Sequence, residues 1–419
     1  MLKIKYKEII IYIFLILLVL LQFRMAAKQG YILLPAELAI AFLFFIWEKK
    51  EIIFFSKFDP LSIWILFLIY SLMVSVLIDL TNPSVYKSML YRCVGMTIMV
   101  YFISLYTKYE DTLMVARNIG GVFAILGTIE YLTKQSIFLR YITVESRQLM
   151  VAQLGSSAAR VRLIFIHPII CAVFMVFFWL CLIYRPFRIK ILNIVIGVLL
   201  IVSILGTQSR SSWIAFMCVT LIAICKRVRK RHFTLNDICR GILLATICIL
   251  LILIRWEKMY SAFSVWWGRW TAGLNITNAA NFNRLTMIKI GINDWKEAGI
   301  ISKLFGRGAT YALDYLKRHT IRGWNTAVDN QYLTILMNFG LVGEAIFTLL
   351  GIKISVLTLK TKDAHIEFWG LVCISMFISS FFYEMLSWTM VTMLFSFALC
   401  MLNKEMANRN YYKIGNTMQ

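Results

Sequence analysis

Apolar stretches separated by short polar turns recur along nearly the whole chain and constrain its fold more than any other feature. A helix of about 20 apolar residues is long enough to cross a hydrocarbon layer roughly 30 Å thick. Inside that layer no water satisfies the backbone, so a crossing segment must close its own hydrogen bonds. Twelve candidate spans fall at 9–23, 31–47, 61–78, 89–106, 113–132, 163–183, 191–205, 213–225, 238–254, 332–350, 368–382 and 386–402. The shorter ones need their flanks to span fully, and the break at 384–387 reads as a kink or a turn. The expectation is an all-α polytopic membrane protein of about 12 transmembrane helices. Helices one to nine lie over 1–254, an extracytoplasmic loop over 255–329, helices ten to twelve over 330–403 and a cytoplasmic tail over 404–419.

Charge is scarce but one-sided. Of the 419 residues, 60% are hydrophobic and 16% charged, yet 44 Lys and Arg face 21 Asp and Glu, a net charge of +23. A nucleic-acid partner would need that charge clustered on a soluble module, whereas here it punctuates apolar runs, so the bilayer is the partner. The first span is expected to be retained, because no small-residue cleavage site followed by a soluble domain appears after Phe23. Nine cysteines lie in or beside apolar spans, with no CxxC pair, and read as small packing residues.

Cytoplasmic loops are enriched in Lys and Arg. With the N-terminus (Lys3, Lys5, Lys7) inside, the alternate loops carry Lys49, Lys50 and Lys57, then Lys108, then Arg185, Arg188 and Lys190. Lys226, Arg227, Arg229, Lys230 and Arg231 follow, then Lys353, Lys360 and Lys362, and finally Lys404, Arg409 and Lys413. These read as topogenic anchors near anionic lipid, with both termini cytoplasmic.

Two outer segments are then unusually basic. Residues 133–162 hold Lys134, Arg140, Arg147, Arg160 and Arg162 against Glu145, and the loop after Arg255 holds Arg269, Arg284, Lys289, Lys296, Lys303, Arg307, Lys317, Arg318 and Arg322. Something anionic on the outer face would account for them. Within that loop Leu285, Ile288, Ile292 and Trp295 recur at helical spacing, which predicts an amphipathic helix on the membrane surface. Trp256, Tyr260, Trp266, Trp267 and Trp270 precede it, beside Asn275, Thr277, Asn278, Asn281 and Asn283. Such rings either anchor the loop at the interface or stack on sugar faces.

Polar groups kept at a span edge are functional candidates by default. Arg210 stands in the tight turn Gly206-Thr207-Gln208-Ser209-Arg210-Ser211-Ser212-Trp213 on the outer side. It suits bidentate phosphate binding, with snorkelling beside Trp213 as the plainer reading. Arg92, near the outer start of its span, either joins the same site or pairs with a buried carbonyl, and Arg117 reads as snorkelling toward the cytoplasm. Glu130, Glu344 and Glu384 are the acids associated with spans, and Glu384, facing outward, either pairs an arginine or acts as a base. His167, His232, His319 and His365 form no i, i+4 pair, so no zinc site is expected. GxSxG elbows, P-loops and dinucleotide fingerprints are absent from the sequence, which excludes an ATP-driven pump. Read locally, Asp329 or Asn330 caps the tenth span, and the glycines of Asn338-Phe339-Gly340-Leu341-Val342-Gly343 permit close helix packing.

Together, several pieces resemble the O-antigen ligase and O-antigen polymerase family. They are Arg162 to His167-Pro168, the Ser209-Arg210 turn, Asn283-Arg284 before the amphipathic helix, Phe305-Gly306-Arg307-Gly308, and Asp329-Asn330-Gln331-Tyr332-Leu333 leading to Gly340-Leu341-Val342-Gly343. The resemblance implies a GT-C-like, metal-independent and cofactor-free glycosyltransferase of the bacterial cytoplasmic membrane, acting on undecaprenyl-pyrophosphate-linked glycans. It implies that Arg210 and Arg284 hold the donor pyrophosphate and that Arg160 and Arg162 contribute to the glycan or phosphate site. Arg92, Arg307 and Asn330 join them as candidate substrate contacts. The ligases carry a His where this chain has Asp329, a departure that favours a polymerase. Asp329 is then the expected general base, with His319 and Glu384 as substitutes.

The expected function is surface-polysaccharide polymerisation, with lipid-linked oligosaccharide as donor and acceptor, a chain-length regulator as a further partner and no nucleic acid. A ligase differs only in its acceptor. A flippase for the same lipids is the rival from another class, but no internal repeat of the transporter kind is visible.

Overall fold

The computed structural model describes residues 59–78, 96–138, 159–165, 167–230, 279–319 and 329–417. Spans 9–23, 31–47 and 238–254, the first part of span 89–106, and Arg92 lie outside the described residues. All regular elements among the described residues are helical. In order they are α1 (Pro60–Ile78), α2 (Met96–Tyr106), α3 (Tyr109–Thr133), α4 (Pro168–Tyr184), α5 (Lys190–Gly206), α6 (Arg210–Lys230) and α7 (Ala279–Glu297). Then come α8 (Ile300–Phe305), α9 (Tyr311–Arg318), α10 (Gln331–Lys360), α11 (Ala364–Ser380), a 3-10 turn (Met385–Ser387) and α12 (Thr389–Thr417). Five of them, α1, α3, α6, α10 and α12, are long and apolar enough to cross a membrane, and α4, α5 and α11 are shorter apolar helices of 17 residues.

Burial sorts these helices as their composition demands. A helix apolar on every side belongs inside a bundle. α4 and α11 are such helices, and nearly every residue of both is buried. α11 packs on α4, α6, α10 and α12, while α3 and α5 flank α4, and α1 and α2 close the far side against α10 and α12. Between helices in lipid, association depends on close van der Waals packing and hydrogen bonds, which small residues promote. At Gly127 of α3 a Cβ would come within 2.6 Å of the Ser203 hydroxyl of α5, so the missing side chain lets the two helices approach.

Three helix starts follow the capping rules. His167 accepts from the Ile169 N–H ahead of Pro168 at the start of α4, Asn330 accepts from Leu333 at α10, and Asp363 accepts from His365 and Ile366 at α11. Several helix ends differ from the expected spans, α10 running on to Lys360 and α6 covering Arg210–Lys230. The span at 163–183 begins at Pro168 instead, because Leu163, with a left-handed φ of 53°, lies inside the turn closed by the Phe165 N–H on the Arg162 carbonyl. The tail expected at 404–419 is helical through Thr417, since α12 continues while Lys404 donates to the Ser104, Leu105 and Thr107 carbonyls at 2.7–3.2 Å. The break at 384–387 proves to be the 3-10 turn.

The bundle has two polar ends, each gathering alternate connections. At one end Arg185 pairs with Glu110, His365 approaches Glu405 at 3.1 Å, and Lys226 binds Glu367 at 3.3 Å and the Thr361 carbonyl at 2.9 Å. Basic residues read from the sequence as anchors thus also cap helix carboxyl ends, with Lys226 at the close of α10 and Lys404 at the close of α2. Arg117 belongs here too, donating to the Arg185 and Pro186 carbonyls. The opposite end carries the connections around Arg160, Arg210, Asp294, Asp329 and Glu384.

Candidate functional site

Residues 159–165 are built onto the turn between α5 and α6. Val161 N–H donates to the Gly206 carbonyl at 2.9 Å, and Arg160 donates through Nε to the Thr207 carbonyl at 2.8 Å and through Nη2 to that of Gln208 at 3.3 Å. Arg160 therefore clamps the two segments together. From α3, buried Glu130 accepts from the Leu163 N–H at 2.8 Å. Burial pulls the Arg162 pKa down, and the nearby Glu130 carboxylate opposes that shift. Two loops distant in sequence become one rigid platform.

On that platform α6 begins at Arg210 itself. First-turn N–H groups of a helix lack intrahelical partners and sit at its positive end, so the start of α6 favours an anion. Ser209 Oγ lies 3.1 Å from Ser211 Oγ and 2.9 Å from Ser212 Oγ, a cluster of hydroxyls at the same turn. Trp213 is only 2% exposed and donates to the Ile204 carbonyl at 3.0 Å. The indole expected beside a snorkelling Arg210 is thus a core residue.

The loop helix expected around Leu285 is present as α7, but its buried face is rotated. Met287, Gly291, Asp294 and Ala298 form the buried stripe, while Leu285 is exposed and Ile288, Ile292 and Trp295 are half-buried. The reason is docking: α7 rests on α9 and α10 through Met287, Ala312, Leu316, Leu333 and Met337, and at Gly291 a Cβ would meet Met337 Sδ at 2.9 Å. Arg284 occupies the preceding turn of α7, in the register of that stripe. The rings from Trp256 to Trp270 lie outside the described residues.

Two glycine-bearing motifs interlock. α10 breaks at Gly340, with φ 66° and ψ −168°, and the Asn338 carbonyl accepts from the N–H groups of Arg307 at 3.0 Å and Gly308 at 2.9 Å. The Asn338 side chain completes the lock, accepting from Ala312 N–H and donating to the Ala309 carbonyl, each at 2.8 Å. At Gly306, with φ 83°, a Cβ would lie 2.2 Å from the Asn338 oxygen, and at Gly340 one would lie 2.4 Å from the Leu304 oxygen. Only glycine fits either place. Arg307, a candidate substrate contact, pairs with Asp294 at 3.0 Å and hydrogen-bonds Tyr311, whose hydroxyl donates to Asp294 at 2.9 Å. Burial, followed by the Asp294 hydrogen bond, pushes the Tyr311 hydroxyl up to about 12.

Asp329 has a left-handed φ of 52° just ahead of the Asn330 cap and is half-buried. Asp tolerates that region better than most residues, and strained backbone of this kind concentrates at functional sites. Asn330 is engaged in capping α10 and in donating to the Phe381 carbonyl at 3.1 Å, which joins α10 to the end of α11. Glu384 accepts from Thr334 at 2.9 Å and from Ser387 at 3.2 Å. His319 is exposed at the end of α9, stacked on Tyr315 at 4.2 Å.

Beside Glu384, Tyr383 stacks on His167 at 4.7 Å, with Trp388 6.0 Å from that imidazole. This aromatic set escaped the sequence reading. Its only signal was the run Phe381-Phe382-Tyr383-Glu384 with Trp388 close behind. Arg160, Arg162 and Arg210 therefore share one platform, Asn330 and Glu384 share a second with Asp329 beside it, and His167 ties the start of α4 to the second.

Residues 195–348 match the family model described as O-Antigen ligase. The match runs from within α5 through α6, α7, α8 and α9 to the kinked part of α10, and so takes in Arg210, Arg284, Arg307, Asp329 and Asn330. It supports the O-antigen ligase and polymerase family, and with it an enzyme of the ligase or polymerase type. No curated protein matches the chain significantly.

Proposed function

We propose, from the O-antigen ligase domain at residues 195–348, that this chain is a bacterial surface-polysaccharide polymerase of the cytoplasmic membrane. It transfers glycan from undecaprenyl pyrophosphate to the terminal sugar hydroxyl of a lipid-linked repeat unit. The observation that carries this reading is Arg210 at the positive end of α6, on a turn clamped by Arg160.

In the proposed step the bond from the donor's anomeric carbon to pyrophosphate oxygen breaks as a bond to the acceptor oxygen forms. The acceptor's proton passes to a general base, for which the Asp329 carboxylate is the first candidate and the Glu384 carboxylate or the His319 imidazole the substitutes. The departing pyrophosphate gains charge, and Arg210 and Arg284 stabilise it most in the transition state. Arg160 and Arg162 hold the platform on which the phosphate rests. Lipid-linked oligosaccharide is both donor and acceptor, and a chain-length regulator is the partner to seek. Both termini are assigned to the cytoplasm, so that the arginine platform faces the outer leaflet.

The test supplies purified protein in liposomes with lipid-linked repeat units and resolves the products by size. A ladder of longer lipid-linked glycans, lost in Arg210→Ala while the unfolding temperature holds, is the expected result. The family description itself favours a second reading, a ligase. Transfer to an added second acceptor without a ladder would establish it, and lipid movement across the bilayer without new bonds would overturn both.

A further inference from the structure

At the bundle end opposite Arg210, α5 and α6 part company. α5 packs on α3 and α4, and α6 packs on α4 and α11, and the two make little contact although only 207–209 separate them. The result is an apolar groove between α4 and α5, walled by Leu182, Ile194, Gly197, Val198 and Ile201, with Arg227 of α6 at its edge. It opens sideways toward hydrocarbon, since Ile194 and Val198 are 62% and 53% exposed. Gly197 keeps it deep: a Cβ there would point at Trp179 from 3.5 Å and at Leu182 from 3.7 Å.

The mouth of the groove is cationic. Arg227 Nη2 donates to the Ile183 carbonyl at 2.5 Å, and its guanidinium stands 5.2 Å from the Tyr184 ring centroid. A guanidinium has five N–H donors, so this leaves several for a ligand. Arg188, Lys190 and Arg229 are exposed at the same end. The acids nearby are otherwise engaged: Glu110 with Arg185, Glu367 with Lys226 and Tyr184, and Glu405 with His365. A slot for one hydrocarbon chain under a cluster of cations has the complement of an anionic phospholipid.

We propose that this groove holds an acyl chain of an anionic phospholipid, with its phosphate on Arg227. The lipid fills the space that α5 and α6 leave between them, and it belongs to the leaflet opposite the proposed reaction. The site does not depend on the polymerase reading.

Native mass spectrometry of the full chain in mild detergent tests it, using phosphatidylglycerol and phosphatidylcholine with identical acyl chains. The protein is expected to retain phosphatidylglycerol preferentially, and Arg227→Gln to lower that retention about fivefold, the effect of one cation near a phosphate. Val198→Trp fills the groove from its lipid-exposed side without touching the core and should lower retention of both lipids. Equal retention of the two lipids by the unaltered protein overturns the proposal, as does unchanged retention in Val198→Trp. Displacement of phosphatidylglycerol by an equal amount of undecaprenyl phosphate also overturns it, by assigning the groove to a polyprenyl carrier.

Discussion

Glu130, near the end of α3, accepts a hydrogen bond at 2.8 Å from the backbone N–H of Leu163, 33 residues away in sequence. Leu163 has a φ of 53°, so this bond supports a turn that the residue would not adopt alone. Through it a buried acid on a membrane helix fixes the segment that carries Arg160 and Arg162. Removing the acceptor in Glu130→Leu leaves the N–H unsatisfied, at a cost of about 1–3 kcal/mol. Limited proteolysis should then cut near residue 162, and Glu130→Gln, which still offers an oxygen, should resist. Identical protection in the two variants would contradict the assignment.

The lock between Gly306 and the Asn338 carbonyl should be intolerant of any side chain. A Cβ would meet the backbone at 2.2 Å at Gly306 and at 2.4 Å at Gly340, and both φ values are positive. Gly306→Ala and Gly340→Ala are each expected to destabilise the fold by on the order of 2–4 kcal/mol. Gly299→Ala is the control, because a Cβ at that position would have no atom within 4 Å. Thermal unfolding in detergent separates the two classes.

Arg307 and Asp294 should behave as a structural pair. A double-mutant cycle with Arg307→Ala and Asp294→Ala is expected to return a coupling of about 0.5–3 kcal/mol in stability. Additive losses would release Arg307 for the substrate and reverse the conclusion drawn from its 3.0 Å contact.

Arg284 lies on α7 one turn before the stripe that docks on α10. If it stabilises the departing pyrophosphate, Arg284→Ala should lower kcat by about 10²–10³, the effect of losing one donor to a developing anion. The unfolding temperature should not change. Rates close to the parent's would remove Arg284 from the mechanism.

Sidedness can be read with a membrane-impermeant maleimide. Gln135 and Lys362 are exposed at opposite ends of the bundle. In a background with the exposed Cys225 replaced by Ala, Gln135→Cys should label in intact cells and Lys362→Cys only after lysis. The reverse pattern would put the arginine platform in the cytoplasm.

Much of this architecture was legible in the residues. Every described span coincides with an apolar stretch legible in the sequence, because hydropathy and helical closure of backbone hydrogen bonds are local properties. The loop helix, the Asn330 cap and Arg210 at the start of α6 were visible for the same reason. What each residue touches is not local. Neither the Asp294 partner of Arg307 nor the Ile204 carbonyl that takes the Trp213 indole N–H was visible in the residues alone. The buried face of α7 turned away from its strongest apolar period because α9 and α10 supply the partner surface. Composition and periodicity by themselves determined a membrane bundle with a long, basic, polar loop. Only tertiary packing decided how the arginines are placed, with Arg160 and Arg307 bracing the scaffold and Arg210 opening α6, since that depends on carbonyls and carboxylates distant in sequence.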